Sequence, residues 1–413
     1  MARILLSAYA CEPGRGSEPG VGWSWATELA RLGHQVTVIT RGANRRAIAP
    51  EAPLRPDEDL TFVYYDLPLW IQHCRSCPGG KAFYYVLWQW FVVRRVRQLF
   101  PTLPFDVVHH VTYVSVRYPS FMGSLGIPFW FGPVSGGEVV PPLLRHGFSL
   151  AHKRRDRLRD LSNFLVALDP LLRRTFRQAE RILVTRDTLP LVPRRWRHKT
   201  TVHLAIGLSE PDFAGANFQM KPSAHDLRVL YAGRLLEWKG VDIALRAIAQ
   251  VMQSHAGIRF TIVGDGPAKG KLAELSRELG LEGVVRWVGW LPQWGLVEHY
   301  ATAVVLLFPS LRDSGGMVVL EALAHGLPVL CTDLGGPGII VNRTCGRAIT
   351  TAGRNPEQFT CDLAGTLLEM VTVPSLLESL SYGARVRARE FNFQGLVQSI
   401  YPSPSARPLA RQA

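Results

Sequence analysis

The feature that most constrains the fold is an alternation of short apolar runs with helical segments. The apolar run Arg3–Ala8 leads through a loop and a helical pattern to a second apolar run at Val36–Thr40. A strand, a helix and a second parallel strand in this order are the unit from which parallel sheets are built. The same order starts again at Arg228–Ala232 and continues to Val329–Cys331. The sequence therefore predicts an α/β fold with two doubly wound, Rossmann-like domains.

The length of 413 residues is enough for two or three domains. The join is expected near Ala205-Ile206-Gly207, where the first alternation ends and a polar stretch begins. We therefore assign residues 1–205 to an N-terminal domain and residues 206–385 to a C-terminal domain. Residues 386–413 are expected to form a helix that returns to the first domain, followed by a mobile tail.

Charge is distributed unevenly between the two halves. Residues 1–205 hold 28 Lys and Arg against 15 Asp and Glu, whereas the remainder holds 19 against 18, within a total net charge of +14. A field of one sign on one half implies a partner of opposite charge, such as an anionic membrane surface. Aromatic residues are not interleaved with the basic clusters as stacking platforms, so a nucleic-acid partner is not expected.

The expected cellular location of the protein follows from the absence of a long apolar run and of a regular cysteine pattern. No run of about 18 apolar residues is present, so a membrane-spanning helix is not expected. The six cysteines are irregularly spaced and predict no disulfide framework. The aromatic stretch Phe83–Val93 precedes Arg94 and fits either a core helix or a helix lying in a membrane interface. We therefore expect a cytoplasmic protein that can associate peripherally with the inner face of the membrane.

Two loops in the second half carry the strongest functional pattern. Arg234 and Lys239 follow the strand Arg228–Ala232, and a second strand ends in the loop that contains Asp313, Gly315 and Gly316. Two glycines at a helix start expose backbone N–H groups to a phosphate, and the helix dipole adds a favourable potential. Arginine and lysine can complete the neutralisation of a diphosphate. Asp313 and Glu321 are suited to accept hydrogen bonds from sugar or ribose hydroxyls.

Together these residues resemble family 4 of the retaining glycosyltransferases, which have the GT-B fold of two Rossmann-like domains facing across a central cleft. The resemblance rests on Gly233-Arg234, Lys239-Gly240, Val263-Gly264-Asp265-Gly266-Pro267, Phe308-Pro309-Ser310, Asp313 with Glu321 after seven intervening residues, and Gly326-Leu327-Pro328-Val329. It implies that Arg234 and Lys239 hold the donor diphosphate, Glu321 the ribose and Asp313 the transferred sugar. The implied catalytic residues are Arg234, Lys239 and Asp313. The implied donor-binding residues are Glu321, Ser314, Gly315, Gly316, Met317, Gly264 and Gly266.

The resemblance continues into the first half. Gly16, Ser17 and Glu18 fall where the family has an N-terminal glycine loop. His109 is interpreted either as a buried strand-end residue or as an acceptor-site base. Glu138 stands in a segment where many relatives place a histidine, and it is assigned an acceptor-side role. One departure concerns Asp313, because the family usually has Glu at this position, and the shorter carboxylate bears on the identity of the sugar.

The resemblance implies retaining transfer of a sugar from a nucleotide-diphosphate sugar to a glycan or lipid-linked acceptor, in cell-surface or exopolysaccharide biosynthesis. Fixed cations and a helix N-terminus can stabilise the leaving phosphate, so neither a metal nor another cofactor is expected. Cys74 and Cys77 have the spacing of half a metal site, but no second pair accompanies them. The alternative is a nucleotide-sugar epimerase or other nucleotide-sugar enzyme of the same fold, which needs no acceptor.

Overall fold

The computed structural model describes residues 1–15, 18–51, 59–77, 79–209 and 227–401. The chain divides into two compact units. The first contains Met1–Gly137, Asp160–Ala205 and the stretch from Phe393 onward, and the second contains Glu138–Arg159 and Ile206–Asn392. Ala205 thus ends a stretch of the first unit at the join expected from the sequence. The segment Glu138–Arg159 belongs to the second unit, although the sequence analysis assigned it to the first.

The first unit is built on a seven-stranded sheet in which every strand pair is parallel. Its spatial order is β3-β2-β1-β4-β5-β6-β7. The strands are β1 Arg3–Ser7, β2 Gln35–Thr40, β3 Leu60–Tyr64, β4 Val107–His110, β5 Phe129–Val134, β6 Arg181–Val184 and β7 Thr200–Val202. The buried residues Ile4, Leu5 and Leu6 of β1 are apolar on both faces, and the strand lies between β2 and β4, as expected for an inner strand covered by helices on both sides.

Helices of the first unit connect these strands or cover the sheet. They are α1 Glu18–Arg31, α2 Arg45–Ile48, α3 Leu69–Gln72, α4 Gly80–Leu99, α6 Pro170–Gln178 and α14 Phe393–Ile400, with α5 Leu150–Leu165 running from the second unit into the first. Helix α14 packs on α1 through the rings of Phe393 and Trp25, whose centroids are 5.6 Å apart. The end of the described chain therefore contributes to the core of the first unit.

The aromatic stretch Phe83–Val93 lies inside α4 and forms part of the core. Tyr84, Tyr85 and Trp88 are fully buried, and the indole N–H of Trp88 donates a 2.8 Å hydrogen bond to the carbonyl of Tyr65. Of the two interpretations left open by the sequence, the core helix is the one observed. Phe83 and Trp90 are the exposed aromatic residues of this stretch.

Helix α1 begins five residues earlier than the sequence pattern indicated. The expected start was near Trp23, because Pro19, Gly20 and Gly22 resemble loop residues, but the helix begins at Glu18. Proline is tolerated in the first helical turn, where its missing N–H has no partner to lose. A Cβ on Gly22 would lie 2.1 Å from the carbonyl oxygen of Ala10. This glycine therefore allows the helix to pack closely against the loop that follows β1.

The second unit is built on a six-stranded parallel sheet with the order β10-β9-β8-β11-β12-β13. Its strands are β8 Leu227–Ala232, β9 Ile258–Val263, β10 Val285–Gly289, β11 Val305–Phe308, β12 Val329–Thr332 and β13 Gly346–Ile349. Its remaining helices are α7 Val241–Ser254, α8 Lys269–Glu278, α9 Val297–Thr302, α10 Met317–Ala324, α11 Pro337–Ile340, α12 Pro356–Thr372 and α13 Pro374–Arg389. The two parallel sheets confirm the predicted pair of Rossmann-like domains.

Candidate donor-binding site

Four loops meet at the carboxyl edge of the second sheet, following β8, β9, β11 and β12. They pack backbone against backbone, which only glycine permits at the closest points. A Cβ on Gly264 would lie 1.9 Å from the carbonyl oxygen of Gly233, and one on Gly335 would lie 1.9 Å from that of Asp313. Both glycines also have positive φ angles, which side chains rarely tolerate. The glycines therefore hold the loops that carry the charged residues in one place.

Lys239 is positioned by the turn that follows β8. It ends the 3₁₀ turn Glu237–Lys239, and Gly240 follows with a φ of 68°. A Cβ on Gly240 would lie 2.2 Å from the carbonyl oxygen of Pro309, so the two loops are in direct contact. The Lys239 ammonium lies 2.5 Å from Asp313 Oδ2 and 5.1 Å from the centre of the Phe308 ring. The structure thus unites two of the three predicted catalytic residues.

Asp313 also holds the turn that immediately precedes the helix that carries Glu321. Its Oδ1 atom accepts hydrogen bonds from the amides of Gly315 at 3.2 Å and Gly316 at 2.9 Å. Gly316 has a φ of 79° and immediately precedes α10. A carboxylate is favourable here because the first amides of a helix lack internal partners and carry partial positive charge.

The position of the Asp313 carboxylate corrects one expectation about the loop amides. The amides of Gly315 and Gly316 were expected to be open toward phosphates, but the Asp313 carboxylate occupies both. The amides of Met317 and Val318 donate to no side chain or loop carbonyl in the part of the chain that the structure describes. An anion approaching the helix N-terminus therefore meets Met317 first, or displaces the aspartate.

Glu321 is held from two sides inside the second unit. Its Oε2 atom accepts a 2.7 Å hydrogen bond from the Tyr300 hydroxyl, and its Oε1 atom accepts one of 3.0 Å from the Gln293 amide. Burial and the neighbouring Glu321 carboxylate raise the pKa of Tyr300 well above its usual value. The phenol therefore stays protonated and remains a donor to the carboxylate.

Tyr300 and Gln293 are functional candidates that the sequence analysis missed. They lie in the short helix α9 and the turn before it, and no spacing in the sequence connects them to Glu321. The Gly335-Gly336 pair was also missed, although a glycine pair after a strand is a visible signal. The amide of Gly336 donates a 2.9 Å hydrogen bond to the carbonyl of Asp313. Tyr300 and Gln293 thus hold the Glu321 side chain, and Gly336 holds the main chain at Asp313.

Arg234 lies in the same loop as Lys239, but its side chain takes no part in the contacts between Lys239 and Asp313. Its side chain is exposed, and its carbonyl accepts a 3.2 Å hydrogen bond from the buried Tyr231 hydroxyl. Within the described residues its guanidinium forms no ion pair, so it stays available to an anion. Gly264 and Gly266 serve the backbone contact between loops, since a Cβ on Gly266 would lie 2.3 Å from the carbonyl oxygen of Leu235.

The segment Glu138–Arg159 reaches the loops of the second unit through buried charges. Asp156 is 2% exposed, and its Oδ1 atom lies 2.8 Å from an Arg312 nitrogen. The Arg312 guanidinium in turn lies over the Trp238 ring, 4.5 Å from its centre. Glu237 accepts a 2.8 Å hydrogen bond from the amide of Ser149. These contacts explain why the segment belongs with the second unit, and each one adjoins Lys239 or Asp313 in the chain.

The predicted residues of the first half have mainly structural contacts. His109 is fully buried, with its Nε2 atom 2.6 Å from the carbonyl oxygen of Gly132 and its Nδ1 atom 2.9 Å from the Tyr401 hydroxyl. Burial lowers the pKa of His109 to about 3, so the ring is neutral and both nitrogens are engaged. Of the two interpretations, the buried strand-end residue is the one observed.

Glu18 and Glu138 are also held by the protein. Glu18 Oε1 accepts a 2.5 Å hydrogen bond from the amide of Val114, and burial raises the pKa of Glu18. Glu138 is 5% exposed and pairs with Arg159 at 3.2 Å. Its acceptor-side role stays a prediction. Gly16 and Ser17, predicted as part of the glycine loop, lie outside the described residues.

Two searches bear on metals and membranes. Among the described ranges, no group of three or more His, Cys, Asp or Glu side chains is arranged to hold a metal ion. Cys74 and Cys77 are free thiols. No single described helix is long and apolar enough to cross a membrane; by length and composition alone, one pair bent by 97°, α12 with α13, passes that test together.

Family models match both halves of the chain. The model described as "Glycosyl transferase 4-like domain" matches residues 16–189, and the one described as "Glycosyl transferases group 1" matches residues 226–368. Two Rossmann-like domains, with paired cationic and acidic residues at the edge of the second sheet, define the class of GT-B glycosyltransferases. The chain belongs to the group 1, or family 4, glycosyltransferases.

Two curated relatives share the function name D-inositol 3-phosphate glycosyltransferase. The chain is 33% identical over 181 residues to the D-inositol 3-phosphate glycosyltransferase of Acidothermus cellulolyticus, which covers 42% of this chain and 39% of the relative. It is 32% identical over 200 residues to the enzyme of that name from Rhodococcus erythropolis, covering 46% and 43%. The chain thus matches about two fifths of the length of these relatives.

Solved structures match over nearly the full chain at low identity, which shows the fold. Sucrose-phosphate synthase of Thermosynechococcus elongatus has a TM-score of 0.65 at 18% identity, covering 97% of this chain and 98% of that one. HepE of Anabaena, in complex with UDP, has a TM-score of 0.62 at 15% identity, covering 98% of this chain and 100% of HepE. WaaG, a glycosyltransferase involved in lipopolysaccharide biosynthesis, has a TM-score of 0.60 at 18% identity, covering 96% of this chain and 98% of WaaG.

Proposed function

We propose that this protein transfers a sugar from a nucleotide-diphosphate sugar to a glycan or lipid-linked acceptor. The observation that supports this best is the convergence of Lys239, Asp313 and the N-terminus of α10 at one edge of the second sheet. Such an arrangement binds an anion and a polar sugar side by side. The structural relatives that bind UDP and UDP-glucose support a donor of this chemical class.

The chemistry requires stabilisation of the leaving group. When the bond between the anomeric carbon and the diphosphate oxygen breaks, positive charge develops on the sugar and negative charge on the diphosphate. Lys239 and Arg234 would neutralise the diphosphate, and the free amide of Met317 would add a hydrogen bond. Lys239 and the Met317 amide are positioned by the protein before the donor arrives, whereas the exposed Arg234 side chain takes up its position when the donor binds. In this proposal the acceptor hydroxyl oxygen forms the new bond to the anomeric carbon with retention, its proton passes to the leaving diphosphate, and no metal takes part.

Asp313 has two roles in this proposal. Without donor, it neutralises Lys239 and holds the turn that precedes α10. When the donor binds, the diphosphate replaces the carboxylate as the partner of Lys239, and Asp313 accepts hydrogen bonds from the sugar hydroxyls. Glu321 accepts the ribose hydroxyls while Tyr300 and Gln293 hold it in place. The exchange of one anion for another keeps the ammonium paired throughout.

The acceptor and the place of action are part of the proposal. The excess positive charge of residues 1–205 suits an acceptor carried on a lipid diphosphate at the inner face of the cell membrane. The biological setting would be cell-surface or exopolysaccharide biosynthesis. The relationship to inositol-phosphate glycosyltransferases is consistent with an acceptor that carries phosphate.

A thermal-shift panel tests the donor. The full chain is measured with UDP-, GDP- and ADP-sugars, each with and without EDTA, because at one concentration a ligand that binds the folded state more tightly raises the melting temperature further. One nucleotide is expected to stabilise the protein, and its effect is expected to survive EDTA. Dependence on Mg²⁺ would contradict the metal-free mechanism. Conversion of the donor's sugar into its epimer without acceptor would instead favour the nucleotide-sugar epimerase.

A further inference from the structure

The first unit carries a pocket lined almost entirely by arginines. It has a volume of about 420 Å³ and is lined by Pro170, Arg173, Arg174, Arg177, Arg195 and Trp196. We call it the arginine pocket. None of its four arginines forms an ion pair or a side-chain hydrogen bond in the part of the chain that the structure describes. Four like charges without a counter-ion repel one another, so the pocket is suited to an anionic partner.

A second pocket extends the positive surface. It has a volume of about 490 Å³, shares Arg174 with the arginine pocket and includes Trp90, Arg94 and Arg97. The Arg94 guanidinium lies over the Phe91 ring, 5.3 Å from its centre. Two adjacent pockets with a common arginine form one continuous surface, and neither is lined by an Asp or Glu. The surface therefore fits several clustered phosphates better than a single one.

The guanidinium groups are arranged to bind phosphate. Arg195 stacks on Trp196, with its central carbon 3.9 Å from the ring centre. Stacking uses the face of the guanidinium and leaves its N–H edge free, which is the edge that pairs with phosphate. Asp169 and Glu180 flank the α6 arginines in sequence, and Oδ1 of Asp169 accepts hydrogen bonds from the amides of Leu171 and Leu172. Within the described residues neither carboxylate forms an ion pair with the arginines of α6.

Exposed apolar side chains accompany this charge. Leu168 is 60% exposed and Leu171 is 39% exposed; Leu171 directly follows Pro170 of the arginine pocket, and Leu168 precedes it by two residues. Phe164, four residues before Leu168, is 72% exposed. Phe164 and Trp90 are exposed aromatic residues of the first unit, but the aromatic ring of the arginine pocket itself, Trp196, is 8% exposed beneath Arg195 and offers no open face for stacking a base. Arginines beside exposed leucines match the phosphates and the acyl boundary of a membrane.

We infer that the arginine pocket and Leu168 with Leu171 form a docking surface for anionic lipid headgroups. The inference rests on the proposed function only in that a lipid-linked acceptor requires the protein to reach a membrane. The surface lies within the first unit and contains none of the residues assigned to donor binding. Vesicle binding and donor binding can therefore be measured separately.

Flotation of the full chain with vesicles tests this surface. Vesicles of phosphatidylcholine alone are compared with vesicles of equal parts phosphatidylcholine and phosphatidylglycerol, without donor or acceptor. Binding to the anionic vesicles is expected, and R173Q/R174Q/R177Q is expected to weaken it tenfold or more, since each basic residue near an anionic membrane surface adds to the attraction. L168S/L171S is expected to weaken binding without changing its salt dependence.

A matched variant separates this surface from net charge. K271Q/R277Q/R286Q removes the same charge from exposed positions of the second unit and is expected to bind vesicles normally. An equal loss in both triple variants would overturn the inference, as would tighter binding to duplex DNA at the same ionic strength. Full displacement from vesicles by millimolar pyrophosphate would also overturn it, because it would indicate a site for a soluble anion. Vesicle binding without any nucleotide-sugar binding would overturn the proposed function and leave this surface standing.

Discussion

Lys239 Nζ lies 2.5 Å from Asp313 Oδ2, although the two residues are 74 positions apart in the chain. Both side chains are mostly buried. The pair joins the loop after β8 to the loop after β11, and Asp313 continues the contact into the N-terminus of α10. One carboxylate therefore links a cation and a helix terminus, both of which the proposed mechanism assigns to the donor diphosphate.

Replacing Lys239 is expected to remove most of the transfer activity. Lys239→Ala takes away the fixed positive charge that stabilises the leaving diphosphate, and loss of one such group typically costs about 10²–10³ in turnover. The rate of sugar transfer and the melting temperature are measured together. Lys271→Ala, at an exposed position of α8, is the matched control. Normal turnover by Lys239→Ala would show that the site is elsewhere.

Asp313 is expected to govern the choice of sugar. Asp313→Glu restores the family's usual residue and extends the carboxylate by one methylene, which shifts its contact with the sugar hydroxyls. Asp313→Asn keeps the side-chain length but removes the charge, and it leaves the Lys239 ammonium without a partner. The first variant is expected to change the ranking of kcat/KM across donors that differ only in the sugar, and the second to lower all values together. An unchanged ranking in Asp313→Glu would contradict the role.

Tyr300→Phe tests the support of Glu321. The variant removes the 2.7 Å hydrogen bond to a carboxylate that is 7% exposed. A buried acceptor that loses its donor typically costs about 1–3 kcal/mol of folding free energy. Urea denaturation is expected to show this loss, together with a higher KM for the donor. Tyr382→Phe, at a tyrosine that is 72% exposed, is expected to change neither quantity.

Asp156 is expected to stabilise the site from the segment Glu138–Arg159. Asp156→Asn leaves the Arg312 guanidinium largely buried without its anionic partner, and breaking a buried pair costs about 3–5 kcal/mol. The variant is also expected to raise the donor KM, because Arg312 adjoins Asp313. A double-mutant cycle with Arg312→Gln measures the coupling in unfolding free energy. Purely additive effects would show that the two side chains act independently.

Stability is expected to fall on acidification through buried histidines. Burial lowers the pKa of both His109 and His110 to about 3, whereas an unfolded histidine titrates near 6.5. Between these values the unfolded chain binds more protons than the folded chain, so stability rises with pH by about 1.4 kcal/mol per pH unit for each histidine. His109→Gln is expected to reduce this slope in urea denaturation at several pH values. His73→Gln, at an exposed histidine, is expected to leave the slope unchanged.

The sequence was sufficient for the periodic elements and for the residues at strand ends. Apolar runs such as Arg181–Val184 form buried strands because a strand of a parallel sheet is covered on both faces and therefore carries apolar side chains on both. The placement of Arg234, Lys239 and Asp313 after strands followed from the same pattern, since parallel strands all end at one edge. The edge strands Thr200–Val202 and Gly346–Ile349 were not predicted, because they are short and partly polar and their pairing comes from a neighbouring strand.

Only the tertiary structure decided which side chains and amides are hydrogen-bonded to one another. The sequence contains Asp313 and two glycines, but only the folded loop shows that the carboxylate occupies their amides. Similarly, nothing in the spacing of Tyr300, Gln293 and Glu321 indicates that they form one hydrogen-bonded group. Periodicity reports which face of an element is buried, because burial is a local average over neighbouring positions. A hydrogen bond depends on the distance between two particular atoms from distant segments, and that distance exists only after the chain has packed.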